Sequence, residues 1–145
     1  MSTQPDFQYR LTVDASPSEA MQKISQVDQW WAKNFTGEAR NLNDTFSVHF
    51  GDTFVNFKIS EFTPNKSITW LVTDCNLHWI NDKKEWNNTE VIWTLSEKNG
   101  KTQIDFMHKG VTPASECYDS CEPGWTHHLQ DSLLKLIDEG KGLPE

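Results

Sequence analysis

The chain has 145 residues, with 21 Asp and Glu against 13 Lys and Arg, a net charge of −8. That length fits a single domain over residues 1–145. An acidic field with no Lys or Arg stripe argues against nucleic acid and anionic membrane surfaces as partners. No apolar run approaches the roughly 18 residues of a membrane span, and the opening "MSTQPDFQYR" lacks a basic segment followed by an apolar run, so neither membrane insertion nor a secretory signal is expected. The three cysteines, Cys75, Cys117 and Cys121, are an odd and sparse set, and without a secretion signal they point to a reducing, cytoplasmic location.

In chain order, "FQYRLTV" alternates, with Phe7, Tyr9, Leu11 and Val13 on one face, and reads as a half-buried strand. "SPSEAMQKISQVDQWW" follows. Ser16 can cap a helix, Pro17 suits its first position, and Glu19 completes a capping box. Ala20, Met21, Ile24, Val27 and Trp31 share one face, so one helix is predicted to run to the Trp30–Trp31 pair. From 45 to 109 the period changes to two. "TFSVHF", "TFVNFKISEF", "ITWLVTD", "TEVIWTLSE" and "TQIDFMHKG" read as strands of an antiparallel meander joined at "GD", "PNKS", "NDKKEWNN" and "KNG". The predicted inward set is Phe46, Val48, Phe50, Val55, Phe57, Ile59, Ile68, Trp70, Val72, Val91, Trp93, Leu95, Ile104 and Phe106.

A turn-rich bridge, "VTPASECYDSCEPGW", leads to a last helix over 124–142. At about 100° per residue, Trp125, Thr126, Leu129, Leu133, Leu136 and Ile137 cover its buried side. His127 points to water and His128 lies at the edge. Gly140 and Gly142 suit the helix end, with Pro144 beyond. Only the first few and last few residues read as loose.

This order of elements resembles the START-like (SRPBCC) helix-grip fold: α+β, a curved antiparallel sheet around a long C-terminal helix. "FGDTFVNFKISEFTPNKSITWLVTD", "EWNNTEVIWTLSEKNGKTQIDFMHKG" and above all "ECYDSCEPGWTHHLQDSLLKLIDEGKGLP" are similar to bacterial relatives of the activator of the Hsp90 ATPase. The chain opens directly on its first strand, so the extra N-terminal domain with which the eukaryotic activator grips its chaperone is not expected, and chaperone activation is not carried over. The superfamily resemblance implies an apolar-ligand cavity between the sheet and the last helix.

A strongly curved sheet cannot touch a straight helix along its whole length. The space between is expected to be walled by Phe57, Trp70, Trp93, Phe106, Trp125, Leu129 and Leu133. Inward alternation, continued to the strand ends, reaches Glu61, Asp74 and His108; Glu61 and His108 are expected to give polar contacts to a small or medium hydrophobic molecule. Two other functions are weighed against this binding role. One is a co-chaperone-like module with a protein partner at Trp30–Trp31. The other is a cyclase-type enzyme pairing a buried carboxylate with His108. No nucleophile, phosphate-loop or H-E-x-x-H signature occurs, so no catalytic residue and no cofactor are assigned. Cys117 and Cys121 have an allowed zinc spacing, but adjacent His127 and His128 do not. No metal is expected, and the two cysteines read as accessible thiols on a mobile bridge.

Overall fold

The computed structural model describes residues 6–145. In chain order these form β1 (Phe7–Val13), α1 (Pro17–Ser25), α2 (Val27–Trp30), β2 (Asn34–Gly37), β3 (Thr45–Phe50), β4 (Thr53–Thr63), β5 (Ser67–Asn76), β6 (Glu90–Lys98) and β7 (Lys101–Lys109). The chain then runs through α3 (Tyr118–Thr126), a π-helical stretch (His127–Leu133) and α4 (Leu134–Glu139). The strands make one antiparallel sheet in the order β1-β7-β6-β5-β4-β3-β2. This is the α+β helix-grip arrangement expected from the sequence.

The meander follows from its turns. Phe50 pairs with Thr53 across Gly51–Asp52, and Lys98 with Lys101 across Asn99–Gly100. Asn99 and Gly100 both have positive φ, 54° and 79°, the geometry of the tight turn that matches strand twist. The predicted inward residues are all buried except Phe50, which is half-buried. They face one another in register, as in Phe46 with Phe57, Trp70 with Val91, and Trp93 with Phe106. In β1, Phe7, Leu11 and Val13 are buried, and the half-buried Tyr9 donates its hydroxyl to Gln130 Oε1 at 2.9 Å.

Two β-bulges interrupt the alternation. Asn56 and Phe57 face Asp74 and Val72, leaving Thr73 as an extra residue on β5. Ile59 and Glu61 face Trp70 and Thr69, leaving Ser60 extra on β4. Each bulge bends its strand and reverses the facing of every residue beyond it.

The elements depart from expectation in three places, two of them in helices. The first helix breaks at Gln26 (φ −85°, ψ 62°) into α1 and α2; its cap is the expected one, Ser16 Oγ accepting the Glu19 N–H at 3.2 Å. The last helical run starts at Tyr118, not at 124, and contains Pro123. Proline removes one intrahelical donor, and here the freed carbonyl belongs to the exposed Asp119. The third departure is the unpredicted edge strand β2, too short and polar to show a period. Of the termini read as loose, the first few residues lie outside the described ones. The last are tied down: Lys33 donates to the Glu145 carbonyl at 2.8 Å, and Glu145 donates to the Trp31 carbonyl at 2.9 Å.

Candidate ligand-binding site

Most of the space between sheet and last helix is filled by aromatic rings. Trp125 lies 4.7 Å from Phe106 and 4.9 Å from Trp31, centroid to centroid. Phe106 continues to Trp93 at 4.8 Å, and Trp93 to Trp70 at 5.3 Å. Trp30 and Trp31 stack at 6.0 Å, and both are buried. Of this pair, weighed as a partner surface and also as one core ring with the other at the pocket, Trp30 is core and Trp31 lines the cavity.

Among the described residues, room lined mainly by apolar side chains remains at the Trp125 end, as a cavity of about 330 Å³ that opens to the surface. Its walls are Trp31, Phe50, Val55, Leu77, Trp86 and Trp125, with Cys121 and Gly124 from α3. Thr53, Ser120, His128 and Glu145 add polar atoms, and Trp79, 47% exposed, stands at the rim. Of the predicted wall only Trp125 lines this cavity. Phe57, Trp70, Trp93, Phe106, Leu129 and Leu133 are buried behind it as core. The sequence reading placed the hollow along the whole helix, whereas stacked rings reach across most of that gap.

Trp86 was the largest omission. It sits in the polar connection "NDKKEWNN", where a lone tryptophan among charges was the available signal. Its indole N–H points at Cys117 Sγ (3.3 Å), and its ring stacks on Trp125 at 6.0 Å and 8°. Two glutamates hold the connection against the bridge. Glu85 accepts the N–H groups of Glu116 and Cys117 at 2.7 and 2.9 Å, and Glu116 accepts those of Asn81 and Asp82 at 2.7 and 2.9 Å. These bonds hold the Glu116 carboxyl below its ordinary range. The bridge is thus pinned, and Cys117 and Cys121 are free and buried instead of accessible; Cys75, on β5, is free and buried as well. A hydrogen bond with Cys117, reinforced by burial, pushes the Cys121 thiol well up. Burial likewise raises Cys75.

The three polar residues at the strand ends do not converge. Glu61 and Asp74 lie just beyond the bulges at Ser60 and Thr73. Their facing is reversed: Glu61 is exposed, and Asp74 pairs on the outside with Lys84 at 2.8 Å. That pair holds the Asp74 carboxyl low. β7 has no bulge, so His108 does point inward and is fully buried. Both its nitrogens are engaged. Nδ1 accepts the Trp125 indole N–H at 3.2 Å, so Nε2 carries the hydrogen toward Thr89 Oγ1 at 2.9 Å. Thr89 in turn donates to the Trp86 carbonyl at 2.6 Å. Burial without a charged partner pushes the imidazole down to about 3, so it is neutral at pH 7. His108 therefore sets the orientation of Trp125 and Thr89 and leaves no nitrogen for a ligand. Among the described residues its hydrogen-bond partners are Thr89 and Trp125, neither of them a carboxylate, so no acid–base pair forms there.

On the last helix His127 is exposed and His128 partly buried, as expected. Their ring centroids are 5.4 Å apart, and Glu145 reaches both from the C-terminal segment. Adjacency in sequence does not keep these side chains apart.

The family described as "Activator of Hsp90 ATPase homolog 1-like protein" matches residues 19–138, and the chain belongs to it. No curated protein matches the sequence. Among solved structures, the Aha1 dimer from Colwellia psychrerythraea superposes with a TM-score of 0.76 at 21% identity, over 95% of this chain and 99% of that one. MLL2253 from Mesorhizobium loti gives 0.71 at 14% identity, over 94% and 100%. DynU16, a protein in the dynemicin biosynthetic locus, gives 0.70 at 18% identity; it is covered over 49% of its length and covers 95% of this chain. At these identities the likenesses show the fold.

Proposed function

We propose that this family member binds one small apolar molecule in the cavity between Trp31, Trp86 and Trp125. The observation that carries the reading is a space of about 330 Å³ walled by aromatic and aliphatic side chains, with a few polar groups to one side. That is the size and character of a small-molecule site, at the low end of the usual range of about 300–1,000 Å³. Apolar contact area drives entry, at about 25 cal/mol per Å² before ordering costs. His128, Glu145, Thr53 and Ser120 orient a polar end; Glu61 and His108 take no part. The free, buried thiols support a cytoplasmic location.

The test is native mass spectrometry of the protein purified without denaturation. One noncovalent adduct per chain is expected, lost in Gly124→Leu, which places a side chain in the cavity. An adduct held equally by that variant, or no uptake from an apolar library, sinks the reading.

A second reading, a protein-interaction module, is favoured by Trp79. This ring is half exposed at the cavity rim, and tryptophan is enriched in protein interfaces relative to the rest of the surface. The Colwellia relative is described as a dimer. Sedimentation of wild type and Trp79→Ala distinguishes the cases, since a dimer lost on substitution supports it and a concentration-independent monomer does not.

A further inference from the structure

We propose that His127, His128 and Glu145 form a binding site for a divalent transition metal of the zinc class, at the mouth of the cavity. One ligand atom from each lies within 4.8 Å of the others. Tetrahedral zinc, with arms of about 2.0–2.1 Å, needs its ligands about 3.3 Å apart, and side-chain rotation covers the difference.

Four features go beyond proximity. First, His127 Nδ1 meets Asp131 Oδ2 at 3.0 Å, one helical turn on. A carboxylate on one imidazole nitrogen fixes the tautomer and leaves the other nitrogen as the metal donor. That other nitrogen, Nε2, faces Glu145 Oε1 at 4.0 Å. Second, His128 Nδ1 is buried with no hydrogen-bond partner among the described residues, so no protein group competes for that nitrogen. Third, Glu145 does not sit on a loose tail, because its backbone bonds to both Trp31 and Lys33 and only its side chain has to turn. Fourth, Asp131 and Glu145 stand beside two imidazoles, so the local field favours a cation.

The donor set selects the metal. Two imidazoles and a carboxylate suit zinc and its neighbours, whereas calcium and magnesium prefer all-oxygen sites. The buried thiols are poor competitors, because Cys121 is held protonated by Cys117 and by its surroundings. Three protein ligands leave a fourth position for water, and His128 and Glu145 both line the cavity. The site stands apart from the reading of the cavity, since metal binding needs no apolar ligand present.

The test is titration of tag-free protein with cobalt(II) chloride, followed by visible absorption, and with zinc chloride, followed by calorimetry. One equivalent of each is expected to bind, with no thiolate-to-cobalt charge-transfer band. Glu145→Gln and His127→Ala change exposed side chains, so the fold is retained; each is expected to weaken binding at least tenfold. Asp131→Asn, which keeps the shape but not the charge, is expected to weaken it by about 10–100-fold. Three results would overturn the proposal: no stoichiometric uptake by wild type, undiminished uptake by the Glu145→Gln/His127→Ala double variant, or a thiolate band placing the metal on cysteine.

Discussion

Trp125 donates its indole N–H to His108 Nδ1 at 3.2 Å, joining the last helical run to β7 behind the cavity. The bond makes His108 a positioning group for the wall that a ligand would touch. His108→Leu keeps comparable bulk but leaves the Trp125 N–H buried and unpaired. A loss of about 2–3 kcal/mol is expected, read from urea denaturation, together with a change in near-ultraviolet circular dichroism as Trp125 reorients.

The same histidine gives a pH signature. Its folded-state value lies near 3, below the unfolded value of 6.5, because burial disfavours the charged ring. The unfolded chain therefore takes up a proton below pH 6.5 that the folded chain refuses. Stability is full above pH 6.5 and falls by about 1.4 kcal/mol for each further pH unit down to the folded value. His128 is also lowered, by burial first, and acts in the same direction. Asp74 and Glu116, lowered by their hydrogen bonds, add to the acid loss from their ordinary values of 3.8 and 4.5 downward. Urea midpoints at pH 7.5 and 5.5 are expected to diverge strongly for wild type and clearly less for His108→Gln.

Gly142 explains part of the ending "GKGLP". A Cβ there would collide with the Gln29 carbonyl oxygen and lie 3.1 Å from Trp30 Cα, both of them backbone atoms of or beside α2. Neither can move aside without shifting the helix. Gly142→Ala is expected to cost about 2–3 kcal/mol in thermal or urea unfolding. Gly51→Ala meets open space and has only its φ of +63° to accommodate, so about 1 kcal/mol is expected.

Trp31→Ala removes a buried ring that touches Trp30, Trp70, Phe57 and Trp125. The expected outcome is a broad core defect of about 3–5 kcal/mol, seen in denaturation, and not a selective loss of partner binding.

The fold was legible because period-two alternation, Gly51–Asp52 and Asn99–Gly100 leave little choice of pairing. Polar positions near the cavity were far less so, for local reasons. A bulge adds one residue without any composition signal, and each of the two bulges turned a carboxylate outward, Glu61 and then Asp74. His108 was placed inward correctly because β7 is regular, but its partners Thr89 and Trp125 come from distant parts of the chain. A further inward residue, Ser132, falls within about 20° of Trp125 on a 100° wheel, but as a lone polar residue it carried no apolar signal. It is buried, donating to the Trp30 carbonyl and accepting the Leu143 N–H at 2.7 Å, partners that spacing along the helix does not reveal. The cavity's place depends on how far stacked rings reach, a three-dimensional sum that no single segment encodes.

The most direct measurement is a parallel titration of 8-anilinonaphthalene-1-sulfonate into wild type and Gly124→Leu, followed by energy transfer from the cavity tryptophans. Gly124 lies in α3 on the cavity wall, and a Cβ there meets nothing within 4 Å. Leucine is therefore expected to fill the space while raising stability by up to about 1 kcal/mol through helix propensity. Saturable one-to-one binding by wild type, with loss in the stabilised variant, is the predicted result. Equal binding by both proteins, or none by either, would contradict an apolar binding site at Trp31, Trp86 and Trp125.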